Sequence, residues 1–279
     1  MGNVEIRPGV NIAYDDHCFA EPWTSPQTIV AVHGNAESAR AWTCWVPFLA
    51  GQYRLVLPDM PGFGRSAAPP AYHWGVAEIA GDLGRFLDAA KIERCHLMGA
   101  KYGGSVVTQF AIDHSDRLLS LSLFGSPVRG SGSGNADKIR ELGVRGWAQA
   151  TQRARLGSNA SDAQIAWWTD ELMGKTDPHA AFSASSARID MELEERLNRI
   201  TCPTLIVTTQ ESGLQSVAAV ESYAGRISDA RLIVLPGDSY HIAAADPAVC
   251  AGHMVRFLAD ISARSVAEPP ARTSSRTST

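Results

Sequence analysis

A chain of 279 residues with 45% hydrophobic content is long enough to bury one substantial core, with or without a small lid. The formal net charge of −4 gives no excess of basic residues that could bind phosphates, so we expect no nucleic-acid partner. No apolar run is long enough to cross a bilayer, so we expect no membrane partner either.

The cysteines and the first residues bear on the compartment. The start "MGNVEIRPGV" has neither the basic nor the apolar region of a secretory signal. The 5 cysteines are scattered and show no C-x-x-C spacing, which favours reduced thiols over disulfides or a zinc site. We therefore expect a cytoplasmic protein without a metal or an organic cofactor.

Short β-branched runs alternate with longer amphipathic segments along most of the chain, which predicts an α/β fold with a mostly parallel sheet covered by helices. The runs are nearly continuous in apolar character, as expected for strands buried on both faces. The predicted strands are 28–34, 53–59, 94–99, 118–126, 203–209 and 230–237. Helical spacing of apolar residues predicts helices over 75–92 and 247–261.

The middle of the chain has a different pattern. Between 128 and 199 there are glycine- and serine-rich joints, tryptophans at 147, 167 and 168, and no strand signal. We interpret 128–199 as a helical cap inserted into a core domain formed by 1–127 and 200–264. The tail 265–279 has no apolar periodicity and is predicted to be disordered.

Two loops follow predicted strands in the first third of the chain. In "HGNAES" (33–38), backbone N–H groups and the amide of Asn35 could face a developing oxyanion, although a purely structural turn is the alternative. In "DMPGFGRS" (59–66), a Pro-Gly-x-Gly loop favours a scaffolding role.

A third motif, "CHLMGAKYGGSVV" (95–107), predicts a buried strand that turns abruptly into a helix. Gly99 and Gly103 flank Lys101 in the Gly-x-nucleophile-x-Gly arrangement, in which the apex residue holds a strained backbone conformation. The following N–H, from Tyr102, would face an oxyanion site at the helix N-terminus. Enzymes built this way usually carry serine at the apex, whereas here it is lysine.

His241 lies in "GDSYHIAAADP", after the last predicted strand and before the last predicted helix. With these motifs in this order, the chain resembles the α/β-hydrolase superfamily. It is most similar to its cap-containing group of epoxide hydrolases, meta-cleavage-product hydrolases and haloalkane dehalogenases. The resemblance implies an α/β-hydrolase fold with an eight-stranded, mostly parallel sheet, and His241 as general base. It implies an oxyanion loop at Gly34 and Asn35, and Asn35 matches the halide-holding asparagine of the dehalogenases.

Two positions depart from the family pattern. Lys101 replaces the Ser, Asp or Cys nucleophile. On the loop "TTQESGLQS", which carries the family's acid, Ser212 stands where Asp is usual and Glu211 lies one residue earlier. The alternative acid position, after Phe124, offers no carboxylate. Glu211 and Ser212 are therefore the candidates for the third catalytic position, and an acyl-enzyme mechanism is not assumed.

Three roles for Lys101 stay open: a neutral amine that forms a Schiff base, an ammonium that stabilises a carboxylate or enolate, and a group that orients a water for His241. We expect a small carbonyl substrate, either hydrolysed (ester, amide or lactone) or cleaved at a C–C bond. The alternative is an inactive ligand-binding homologue in which Lys101 anchors a salt bridge. Serine hydrolysis through another residue is the last option, and Ser105 is disfavoured because it should lie one turn inside the helix. The oligomeric state is open, with a homodimer as one option.

Overall fold

The computed structural model describes residues 1–130, 134–187, 189 and 191–267. Its centre is an eight-stranded sheet with the order β1-β2-β4-β3-β5-β6-β7-β8. The strand β2 pairs antiparallel with β1 and β4, and the remaining pairs are parallel. The predicted eight-stranded, mostly parallel sheet is therefore confirmed. The strands are β1 Gly2–Arg7, β2 Val10–His17, β3 Thr28–Val32, β4 Arg54–Pro58, β5 Cys95–Ala100, β6 Leu118–Phe124, β7 Thr204–Thr209 and β8 Ala230–Leu235.

Helices cover both faces of this sheet, and each face has its own apolar core. Alternation along β3 shows how the two cores divide: Val30 and Val32 belong to one, while Ile29 and Ala31 belong to the other. The first core contains residues of α2 (Val76–Ala89), α3 (Tyr102–Asp113) and α7 (Val217–Ala224). The second contains residues of α1 (Val46–Leu49), α8 (Ile242–Ala245) and α9 (Pro247–Ala267).

The segment between β6 and β7 is where the cap was predicted. Its described residues form α4 (Gly134–Leu156), α5 (Asp162–Ala166), a π-helical turn at Trp167–Leu172 and α6 (Pro178–Ser186). The helix α4 is broken at Gly143, whose φ of 68° is a left-handed conformation that glycine adopts without steric cost. One isolated bridge, between Arg129 and Glu192, pairs the two ends of the segment.

The C-terminal boundary of the core differs from the prediction. The helix α9 continues to Ala267, three residues into the tail that was expected to be disordered from 265. The rest of that tail, 268–279, lies outside the described residues. Within the described ranges, no helix combines the length and the apolar character that are needed to cross a bilayer.

A buried histidine on β5 couples the stability of the sheet to pH. His96 Nδ1 lies 2.9 Å from Ser120 Oγ on β6, and Nε2 lies 3.0 Å from Gln27 Oε1. Burial lowers the pKa of His96 to about 4, because the imidazolium would lose its hydration there.

We predict that His96 makes the protein less stable in mild acid. Below the ordinary histidine pKa of about 6.5, the unfolded chain binds a proton at this position that the folded chain does not. The free energy of unfolding should therefore fall by about 2 kcal/mol between pH 7 and pH 5 on this account. Urea unfolding of the wild type and of His96→Asn, whose amide can keep a bond to Ser120, measures the difference. An identical pH dependence in both proteins would contradict the prediction.

Candidate active site

Lys101 occupies the apex of a sharp turn between β5 and α3. Its backbone has φ 52° and ψ −118°, a conformation that is strained for a residue with a side chain. The turn is possible because its neighbours are small. A Cβ on Gly99 would lie 2.6 Å from the carbonyl oxygen of Gly103, and a Cβ on Gly103 would overlap the backbone of His33. This is the geometry of a nucleophile elbow, with a lysine displayed on it.

The Lys101 side chain is buried and meets a carboxylate. The residue is only 6% exposed, and its Nζ donates to Glu37 Oε1 at 3.0 Å. The same Nζ lies 6.0 Å from the centre of the Tyr240 ring. Glu37 belongs to the "HGNAES" loop after β3, so the predicted oxyanion loop supplies the counter-charge of the elbow lysine.

Glu37 contacts three groups through its two carboxylate oxygens. Besides Lys101, Oε1 lies 3.1 Å from His241 Nε2, while Oε2 accepts the N–H of Gly34 at 2.9 Å. Burial alone would raise the pKa of Glu37, but the charge of the Lys101 ammonium is the main influence that opposes it, and the pKa lies well below the ordinary value. Glu37 is therefore ionised at neutral pH, and its contact with Lys101 is a buried ion pair.

His241 is fixed at the start of α8. Its backbone N–H donates to the carbonyl oxygen of Arg155 on α4 at 2.9 Å, and its ring lies edge-on to Trp168 with centroids 5.1 Å apart. Burial lowers the pKa of His241, and the Lys101 and Arg155 charges add to that effect, while Glu37 opposes it. The ring is therefore neutral at neutral pH.

The approach of Glu37 to His241 differs from that in a Ser-His-Asp triad. In such a triad the acid holds Nδ1, and Nε2 faces the nucleophile. Here the carboxylate lies on the Nε2 side. The contact is short but not aligned as a hydrogen bond, and within the described residues neither ring nitrogen has a hydrogen-bond partner. His241 is therefore not set up to take a proton from a nucleophile at position 101.

The predicted acid positions are not brought to His241. Glu211 is exposed, and its backbone N–H donates to the carbonyl oxygen of Gly237 at 3.0 Å. The Ser212 hydroxyl accepts the N–H of Leu214 at 3.4 Å. These bonds hold the turn after β7, one of them to the loop after β8, and leave the Glu211 side chain at the surface. Sequence reasoning missed Glu37, although a carboxylate two residues after Asn35 in the predicted oxyanion loop was an available signal.

The predicted oxyanion donors differ in their surroundings. The N–H of Gly34 donates a hydrogen bond to Glu37 Oε2. The Asn35 amide donates to Ala181 O at 3.1 Å and to Ser185 Oγ at 2.7 Å, which ties this loop to α6. Tyr102 is the first residue of α3, directly after Lys101. Asp59, in the second loop, accepts the N–H of Ala39 at 2.6 Å, in keeping with a scaffolding role.

Ser105 does not offer an alternative nucleophile. It is fully buried in α3, and its hydroxyl donates to the carbonyl oxygen of Pro127 at 2.7 Å.

The space beside Lys101 is small. A cavity of about 40 Å³ is lined by Lys101, Tyr102, Asn35, Arg155 and Tyr240, among others. This volume holds a few water molecules or one small functional group. A larger pocket of about 400 Å³, with mostly apolar walls, is lined by Trp168, whose ring contacts His241. Among the described residues, no group of His, Cys, Asp and Glu side chains is arranged to hold a metal ion.

We predict that Lys101 and Glu37 stabilise the fold as a pair. Lys101→Met would leave a buried carboxylate without its main counter-charge, and Glu37→Gln would leave a buried ammonium. Each should lower the free energy of unfolding by about 3–5 kcal/mol. The double variant should be much more stable than the sum of the two effects implies, because it removes both charges. Urea unfolding of the four proteins measures the coupling.

The exposed pair Lys175 and Glu171 on neighbouring helical turns is the matched control. Lys175→Met and Glu171→Gln should leave the urea midpoint nearly unchanged, since solvent already stabilises both charges. Strictly additive effects at Lys101 and Glu37 would contradict the prediction.

Comparison with known proteins agrees with this architecture. Residues 27–166 match the family model described as "alpha/beta hydrolase fold". A 2-hydroxy-6-oxo-2,4-heptadienoate hydrolase of Pseudomonas putida is 36% identical over 129 residues, 45% of either chain, so the match spans less than half of that relative. A putative carbamate hydrolase RutD of Caulobacter sp. is 23% identical over 247 residues, 85% of this chain and 92% of the relative. The crystal structure of an enol-lactonase from Burkholderia xenovorans has a TM-score of 0.81 at 22% identity, covering 92% of this chain and 100% of the lactonase. The chain belongs to the α/β-hydrolase family.

Proposed function

We propose that this protein is an enzyme that cleaves a small carbonyl compound by charge stabilisation, without an acyl-enzyme. The observation that carries the proposal is the Glu37 carboxylate placed between Lys101 Nζ at 3.0 Å and His241 Nε2 at 3.1 Å. The matched relatives named as hydrolases support hydrolysis, and one of them, the heptadienoate hydrolase, is named for a substrate with a carbonyl group. An ester, an amide, a lactone or a C–C bond next to a carbonyl group is the expected site of cleavage.

In this proposal Lys101 acts as a cation. A Schiff base requires a neutral amine, whereas a buried carboxylate 3.0 Å away favours the ammonium form. An ammonium in a site that excludes water is well suited to stabilise negative charge that develops on a carbonyl oxygen. The amine-nucleophile role considered from the sequence is therefore the weaker option.

Proton transfer falls to His241, which is neutral because burial lowers its pKa. The substrate carbonyl oxygen takes the place of Glu37 Oε1 at Lys101 Nζ, while Oε2 keeps its bond to Gly34. His241 removes a proton from a water as its oxygen adds to the carbonyl carbon, and the negative charge collects on the carbonyl oxygen beside Lys101. When that intermediate collapses, the leaving group takes the proton back from His241.

A second candidate, ligand binding without turnover, has one observation in its favour. Glu37 already neutralises Lys101, and the adjoining cavity of about 40 Å³ is too small for a complete substrate. In that case the elbow lysine would exchange its internal carboxylate for one on a ligand.

We predict that turnover depends on Lys101 and His241 together. On a panel of short-chain esters, lactones and β-dicarbonyl compounds, Lys101→Met and His241→Asn should each lower kcat/KM by about 100-fold or more. Ser105→Ala should keep its activity if it folds, since that hydroxyl only bonds backbone. Binding without turnover that only Lys101→Met abolishes would support the second candidate, a ligand-binding protein. Activity lost in Ser105→Ala and kept in Lys101→Met would overturn both.

We also predict that Lys101 is not reactive as an amine at neutral pH. Acetylacetone forms stable enaminones with neutral amines, and peptide mapping after treatment at pH 7 should find no adduct at Lys101. Glu37→Gln removes the charge that favours the ammonium, so labelling of Lys101 should increase in that variant, while labelling of Lys175 stays unchanged. Selective labelling of Lys101 in the wild type would instead restore the Schiff-base role.

A further inference from the structure

Arg155 is a buried cation in the wall of the site. It lies near the C-terminal end of α4, is only 3% exposed, and its guanidinium stacks on the Trp147 ring at 4.2 Å from the centroid. Its Nε donates to Thr151 Oγ1 at 3.0 Å. No carboxylate among the described residues forms an ion pair with it.

The other arginines of α4 show how unusual this is. Arg145 pairs with Asp170 at 2.8 Å and Arg153 pairs with Asp162 at 2.7 Å, although both are exposed and water would solvate them. Arg155 has lost that solvation and has gained no carboxylate in return. An unpaired buried charge is costly, so such an arginine points to an anion that the site takes up.

The charges around the cavity indicate what that anion is. Arg155 and Lys101 line the same cavity of about 40 Å³. Lys101 is balanced by Glu37, and His241 is neutral, so these four side chains carry one net positive charge. A single negative charge would balance it, which favours a monoanion over a dianion.

The position of Arg155 is also fixed for binding. Its carbonyl oxygen accepts from the backbone N–H of His241 at 2.9 Å and from Ser239 Oγ at 2.7 Å, so the backbone of Arg155 is held relative to His241. Thr151 and the Trp147 ring hold the guanidinium itself. Its planar fork suits the two oxygens of a carboxylate. On the same cavity wall, Asn35 Oδ1 is a buried acceptor without a hydrogen-bond partner among the described residues, which suits a ligand that brings a hydroxyl or a water.

We propose that Arg155 is the carboxylate-binding residue of this site, and that the ligand is a small monocarboxylate. The cavity accommodates the carboxylate group itself, and the rest of a larger ligand would extend from it. The inference rests on the proposed function in one respect: it makes the carboxylate a part of the substrate whose carbonyl group meets Lys101. Binding of the anion does not require turnover and is tested separately.

The test is calorimetric titration of the full chain with acetate, with acetamide as the neutral isostere, and with sodium chloride at equal ionic strength. We expect acetate to bind, acetamide not to bind, and chloride not to compete with acetate. Arg155→Met should weaken acetate binding at least tenfold. Arg145→Met, on the same helix but paired at the surface, should bind acetate like the wild type.

Arg155→Lys serves as a second variant if Arg155→Met fails to fold. It keeps the charge but loses the planar fork, so acetate should bind more weakly than to the wild type. Unchanged acetate binding in the folded Arg155 variants would overturn the inference, and so would equal binding of acetate and acetamide. Competition by chloride at equal concentration would assign the site to a halide and also overturn it.

The two proposals fail in different ways. Turnover of the ester and lactone panel without acetate binding would remove the inference and leave the proposed function standing. Acetate binding that depends on Arg155, without turnover of any compound of the panel, would leave the inference standing and remove the proposed function.

Discussion

The buried carboxylate of Glu37 is the contact on which the site depends. It joins three loops that leave the carboxyl ends of different strands: its own loop after β3, the elbow after β5 and the His241 loop after β8. Without it, the elbow would present a buried ammonium with no carboxylate beside it, which is costly in a folded protein. A lysine at this apex is tolerated because the neighbouring loop supplies the opposite charge.

The same carboxylate changes what the elbow can do. The backbone strain at Lys101 and the close approach of Gly99 and Gly103 are the features that present a nucleophile in a serine enzyme. Here they present a charge. Covalent catalysis needs a group that loses its proton, whereas a cation held by a carboxylate acts through its field. In the function we propose, the scaffold is therefore retained while the chemistry it supports moves from bond formation to charge stabilisation.

The sheet and the elbow were predictable because their signals are local. Continuous apolar runs mark strands buried on both faces, and glycines at fixed spacing mark the turn. The hairpin of β1 and β2 was not delineated, since its first strand is half exposed and less apolar. Glu37 and Arg155 were missed for a different reason. A carboxylate in a loop and an arginine in "TQRARL" look like surface residues until tertiary packing buries them. In addition, matching the loop after β7 to the family pattern pointed to Glu211 instead of Glu37.

The charge in the cavity and the contacts that hold α4 and α6 over it both bear on which ligands the site can admit. The contacts that hold α4 and α6 over the site are apolar as well as polar. Ala180 and Ala184 of α6 belong to the first core, and Leu156 of α4 packs with Ala244. The polar contacts join Asn35 to Ser185 and Ala181, and the Arg155 carbonyl to His241 and Ser239. A ligand larger than the cavity of about 40 Å³ must separate some of these contacts. The carboxylate that we propose for Arg155 would offset that loss by neutralising the net positive charge of Arg155, Lys101, Glu37 and His241. Neutral ligands of the same size would break the same contacts without this compensation, so on this proposal the site would select ligands by charge before any chemistry occurs.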